Sequence, residues 1–183
     1  MALDNPLPLS RSAPARPFVL AAVAGKGLAL LATSSIAAGT HLFSEAPILL
    51  LTRSSSHALP QAARVLAGFS QLAAVPRAAL LALCSNLPAV PAADDECTAL
   101  AVWKANNFCL DAGGTTNAVF ALAARINHAC VGGENCRWTW VRNETQGGER
   151  GGEIQFWSER DIVVRPGLSM CGCLRGRAGW LAG

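Results

Sequence analysis

FVLAAVAGKGLALLATSSIAAGTHLFSEAPILLLT, residues 18–52, is the stretch on which the fold turns. Short apolar runs at 18–24, 28–32, 41–45 and 48–52 are separated by Gly25-Lys26-Gly27, by the IAAGT turn at 36–40 and by Pro47. Runs of this length, rich in Val, Leu, Ile and Phe and bounded by Gly or Pro, predict strands joined by tight turns. The chain therefore begins as β structure.

Toward the C-terminus the period changes. Leu59, Ala62, Ala63, Leu66 and Phe69 fall on one helical face, with Pro60 in the first turn and Gly68 near the end. Pro76 opens a second helix through Ala79, Leu80 and Leu83, stopped by Asn86 and Pro88. Asp94-Asp95-Glu96 places negative charge at the start of a third helix running through Trp103. A turn at Gly113-Gly114 leads into a short helix over 118–125. Beyond Asn127 the two-residue period returns. Residues 137–142 (RWTWVR) alternate and 154–157 form a second run, with Gly147-Gly148 and Gly151-Gly152 as the hairpin loop between them. Residues 161–164 make a further strand before the turn Arg165-Pro166-Gly167. Strands, a helical insert, then strands describe one α+β domain whose sheet residues lie at both ends.

The composition agrees with a single domain. Of 183 residues, 51% are apolar and 15% charged, enough to bury a core and too apolar for general disorder. No uninterrupted apolar run reaches about 18 residues, so no membrane partner is expected. Residues 1–17 carry Pro6, Pro8, Pro14 and Pro17 and read as a flexible tail. Arg11 and Arg16 ahead of 18–24 outline a secretory signal, but Lys26 interrupts it and a strand pattern follows. The net charge of +3 comes from Arg165, Arg175 and Arg177, because the body before them is balanced. No basic stripe with interleaved aromatics suggests nucleic acid. Cysteines at 84, 97, 109, 130, 136, 171 and 173 are odd in number and form no disulfide framework, which points to reduced thiols in the nucleus or cytoplasm. Cys84, Cys97 and Cys109 are expected to be packed. Trp138 and Trp140 share one strand face and should pack as well. His41 belongs to a strand and His57 to a Ser-rich loop. Glu153, Glu159 and Asp161 read as solvated charges rather than an acid–base pair.

Two stretches could carry chemistry. Gly25-Lys26-Gly27-Leu28 follows a strand, and two glycines let backbone approach a ligand closely. Without a third glycine and a following helix it is not a dinucleotide fingerprint, and a plain hairpin turn explains it equally. Arg125-Ile126-Asn127-His128-Ala129-Cys130 sets amide, imidazole and thiol side by side. A capped helix end explains these residues, and so, less readily, does a Cys–His nucleophile pair.

Taken in order, the two stretches, the IAAGT turn, the acidic-Ala-Pro strand and the helical insert resemble the SET domain family. The likeness covers about residues 18–167 and is closest to fungal SET proteins with a helical insert, here about 56–110. Residues 76–86, 103–108 (WKANNF) and 118–120 (AVF) add to it. That family comprises S-adenosylmethionine-dependent protein-lysine methyltransferases. The resemblance implies a SET-type fold of short strands in small sheets. It also implies that backbone at Gly25, Lys26, Gly27 and Leu28 holds the amino-acid end of the cofactor. Asn127 and His128 match the pair that contacts its amine and adenine, and Asn106 matches a further polar contact. Arg125 is structural in this scheme. The partner implied is a protein bearing a lysine.

The chain departs from the family after Gly167. There the family carries a closing strand, threaded beneath the Asn-His segment, and a tyrosine that orients the lysine amine. This sequence has no tyrosine at all, and 168–183 shows neither strand nor helix period. The tail therefore reads as foreign to the fold, from a truncation by a retained intron or shifted frame, or from divergence into an inactive relative. No catalytic residue is assigned, and apolar surface at Leu28, Leu30, Phe120 and Ile126 is expected to lie open. In the family the motif cysteine joins later cysteines around zinc. Cys130, Cys171 and Cys173 match that idea in part, with Cys136 as a conceivable fourth ligand. The spacing does not fit a closed four-ligand site, so zinc is not expected.

Overall fold

The computed structural model describes residues 16–24, 27–53, 59–83, 94–128, 133–144, 150–164 and 171–172. The opening segment is β structure, as its sequence predicts. Strands β1 (Phe18–Val23) and β2 (Gly27–Ala32) form a two-stranded antiparallel hairpin. Strand β3 (His41–Glu45) leaves that hairpin and β4 (Leu49–Thr52) follows beyond Pro47. The turn between β2 and β3 is fastened to the far end of the chain. Ile36 bridges Ile162, and the buried Ser158 hydroxyl accepts from Thr40 N at 2.8 Å and donates to the Ala37 carbonyl at 2.6 Å.

Three helices occupy the middle: α1 (Gln61–Ser70), α2 (Ala74–Leu81) and α3 (Asp95–Asn106). The acidic start of α3 acts as expected, with Asp94 Oδ1 accepting from Glu96 N at 3.1 Å. Two short strands, β5 (Phe108–Cys109) and β6 (Thr116–Val119), come next. The helix expected over 118–125 is therefore corrected. Ala118 and Val119 pair with Leu50 and Leu49, Ala118 also with Phe108, and only Ala123–Arg125 keep a helical turn, of the 3-10 kind. Alanine-rich sequence favours helix locally, but two flanking strands offer a full ladder of hydrogen bonds and win.

Strands β7 (Asn127–His128), β8 (Cys136–Glu144), β9 (Arg150–Ser158) and β10 (Cys171–Gly172) complete the described chain. With β3 they form a sheet in the order β3-β9-β8-β10-β7. An early strand meets a late one in the antiparallel pair β3–β9, and the hairpin β8–β9 runs from Cys136↔Ser158 to Glu144↔Arg150. Gly151 and Gly152 belong to β9 rather than to its loop. Of the strand expected at 161–164, only the Ile162 bridge forms.

The reading of 168–183 as wholly irregular is corrected at Cys171–Gly172, which form a two-residue strand, β10. Cys171 pairs in parallel with Asn127, and Gly172 with both His128 and Cys136. The physical reason is that β7 and β8 flank a gap one strand wide, each turning a backbone edge toward it. Their facing backbone groups accept any extended segment, whatever its side chains.

Strand β4 shows how two cores arise. Its alternate residues face opposite ways. Leu49 and Leu51 join Val65, Phe69, Leu80, Val102 and Trp103 beneath the helices, while Leu50 packs on the aromatic cluster. That cluster holds Phe18, Phe43, Phe108, Phe120, Trp138 and Phe156. Phe43 stacks on Phe156 with centroids 5.0 Å apart, and Phe108 meets Phe120 and Trp138 edge-on at 5.5 and 5.7 Å. The three-stranded sheet β4-β6-β5 thus separates a helical layer from an aromatic one. Leu30, Phe120 and Ile126, expected open, are inside this core, and only Leu28 of that group is exposed.

Candidate functional site

Building the site begins with β2. Gly27 opens the strand at φ +71°, and nothing lies within 4 Å of where a Cβ would stand. A side chain there has space but the wrong backbone, so glycine is required by conformation alone. Leu28 follows, exposed and paired with Ala22. Gly25 and Lys26 lie outside the described residues, so that half of the glycine turn has no structural account.

The second stretch is placed by the segment before it. Phe120 is buried, and Arg125 N bonds the Leu122 carbonyl at 2.9 Å while Ile126 N bonds that of Ala123 at 3.1 Å. This closes the 3-10 turn and sends the chain into Asn127 and His128, which are described through their backbone. Strand β7 is the edge of its sheet, and β10 is its strand partner. Strand β2 packs on the same turn, with Leu30, Ala123 and Ile126 in one cluster. The structure therefore brings β2, which Gly27 opens, against the approach to the Asn-His strand, although they are far apart in sequence.

Asn106 is the last residue of α3. Its Nδ2 donates to the Val102 carbonyl at 2.9 Å, which ties the amide to its own helix. Arg125 reaches the C-terminal end of α2, with Nη2 donating to the Ala82 carbonyl at 2.7 Å.

Among the proposed zinc ligands, Cys130 and Cys173 lie outside the described residues. Cys171 is opposite Asn127 in the backbone register, and Cys136 is buried in the aromatic core. Among the described residues no group of three His, Cys, Asp or Glu side chains is placed to hold a metal ion. Cys97 and Cys109, expected to be packed, are exposed instead. Each lies on a solvent-facing position, of α3 and β5, that the apolar surroundings in sequence did not reveal.

One residue of this region escapes a reading by motif. Glu45 ends β3, and its Oε1 accepts from Leu122 N at 2.8 Å and its Oε2 from Ala123 N at 2.9 Å. Burial pushes its carboxyl above the usual range, although the amides of Leu122, Ala123 and Ala121 pull the other way. The signal in the sequence was only an acid at the end of an apolar strand.

Among the described residues no helix is long and apolar enough to cross a membrane. No protein-family model matches the chain, and no curated protein matches it either.

Proposed function

We propose that this α+β chain is a SET-type domain related to protein-lysine methyltransferases, and that it takes S-adenosylmethionine between the glycine turn and the Asn127–His128 strand. The observation that carries the reading is the place of β10. It lies between β7 and β8, parallel to both, although β7 and β8 are joined directly by residues 129–135. A strand placed between two strands that follow one another in the chain departs from the usual pairing of sequence neighbours. The resemblance implies a crossing at this place for the closing strand, and the strand order supports that reading.

The residues suit the proposed ligand. A sulfonium-bearing amino acid needs amide and carbonyl partners with little bulk around them. Gly27 offers backbone without a side chain, and β7 offers an edge. When bound, the cofactor supplies an activated methyl group. The chain's part is to hold that group in line with a neutral amine. Gly25–Leu28 would hold the amino-acid end, Asn127 and His128 the amine and adenine, and Asn106 would add a further polar contact.

The residue that orients the amine in the family is absent, since the chain has no tyrosine. Loss of one preorganised polar group costs about 10²–10³ in rate. We therefore read the chain as a weak or silent transferase. The same absence favours a second reading, a binding module that keeps the fold without catalysis. The experiment is to supply labelled S-adenosylmethionine and mixed protein substrates, and to measure binding and transfer separately. Binding that Asn127→Ala weakens, with no detectable transfer to lysine, is the expected outcome. Brisk transfer would show that another group replaces the tyrosine, and absence of binding would remove the cofactor from the reading.

A further inference from the structure

Glu45 joins two parts of the fold that are otherwise far apart in sequence. It is the last residue of β3, paired with Ile154 of β9, so its Cα is fixed by the largest sheet. Its two carboxylate oxygens take the backbone N–H groups of Leu122 and Ala123, one each. These are the first donors of the 3-10 turn, which the turn itself leaves without acceptors. A single acceptor would let the turn pivot about one bond, whereas two hold both its position and its rotation. Asn127 begins immediately after the turn closes. The turn is also the surface on which β2 packs.

We propose that Glu45 is a positioning residue for Asn127–His128, setting where that strand emerges from the 3-10 turn to lie beside β10. The inference rests on the reading of this segment as a cofactor site. The carboxylate is an expensive group to keep there, since a buried charge is tolerated only when its lone pairs are satisfied. Both oxygens have strong donors. An apolar residue would have filled the same space without holding the turn.

The test compares the full chain with Glu45→Gln, which keeps the size and turns one acceptor into a donor facing an N–H. Amide hydrogen exchange is followed without ligand, and S-adenosylmethionine binding is measured by calorimetry. Asp111→Ala, in the loop between β5 and β6, is the control for general destabilisation. In Glu45→Gln, amides of residues 122–128 should exchange roughly tenfold faster, the change expected when a backbone cap is lost. Affinity should fall by about the same factor. Amides of β8 and β9 should be unaffected, and the melting temperature should fall no further than in Asp111→Ala, which leaves affinity unchanged. Should Glu45→Gln fail to fold, Glu45→Asp carries the same measurement, since it keeps the charge and shortens the reach. Unchanged exchange at 122–128, uniform acceleration across the sheet, or unchanged affinity would each overturn the proposal. If the unaltered chain does not bind the cofactor but the local exchange response is present, the cofactor reading fails while the positioning of the segment stands.

Discussion

Two carboxylates of this chain illustrate opposite outcomes of the same contest between desolvation and hydrogen bonding. Glu45 is desolvated enough that its carboxyl is pushed up despite its amide partners. Asp111 loses some solvent too, but the hydroxyls and amides of Thr115 and Thr116 outweigh that and bring it to about 2. Thr115 N and Oγ1 each lie 2.8 Å from it. The signs for stability differ accordingly. A lowered carboxyl adds stability above its unfolded value near 4 and loses it as the pH falls toward 2. A raised one adds stability below about 4.5 and loses it as the pH rises through its folded value. Urea unfolding between pH 2 and 7 should therefore show Asp111→Asn flattening the acid limb. Glu45→Gln should remove a loss of stability on the other side of pH 4.5.

At the scale of elements, the hairpin β8–β9 shows why a glycine was misread. Gly151-Gly152 has the composition of a loop, and glycine weakens a strand on propensity alone. Yet a Cβ on Gly152 would stand 2.5 Å from Trp140 Cζ2 and 2.5 Å from the Val141 carbonyl oxygen. The glycine makes room for an indole rather than for a turn. Gly152→Ala should therefore cost about 1–3 kcal/mol, the usual price of overpacking, measured by chemical denaturation. The helices and the strands of 18–52 were legible because their periods are local. The segment 116–119 was not, because its strand partners lie at 49–52 and 108–109, and no local pattern announces a partner.

For the whole molecule, the decisive feature is the insertion of Cys171–Gly172 between β7 and β8. A chain ending at residue 167 should keep the β3-β9-β8 core, whose aromatic contacts do not involve β10. It should lose exchange protection at Asn127, His128 and Cys136, read by the same amide measurements. Equal protection in the shortened chain would mean that β10 contributes nothing to holding β7.

The amino-acid sequence determined by itself that this is an α+β chain with strands at both ends, helices between them and an aromatic strand face for the core. Hydrophobic periodicity and turn residues are properties of neighbours in the chain, so they can be read without coordinates. It also marked both stretches of the candidate site, because glycine spacing and the Asn-His pair are local. Only the tertiary structure decided that 116–119 is a strand, that β2 meets the turn before Asn127, and that Glu45 holds that turn with both oxygens. It alone decided that a segment with no strand pattern completes the sheet. Each of these depends on backbone groups brought together from distant parts of the chain, and unpaired donors and acceptors take the partner that geometry supplies, whatever its sequence suggests.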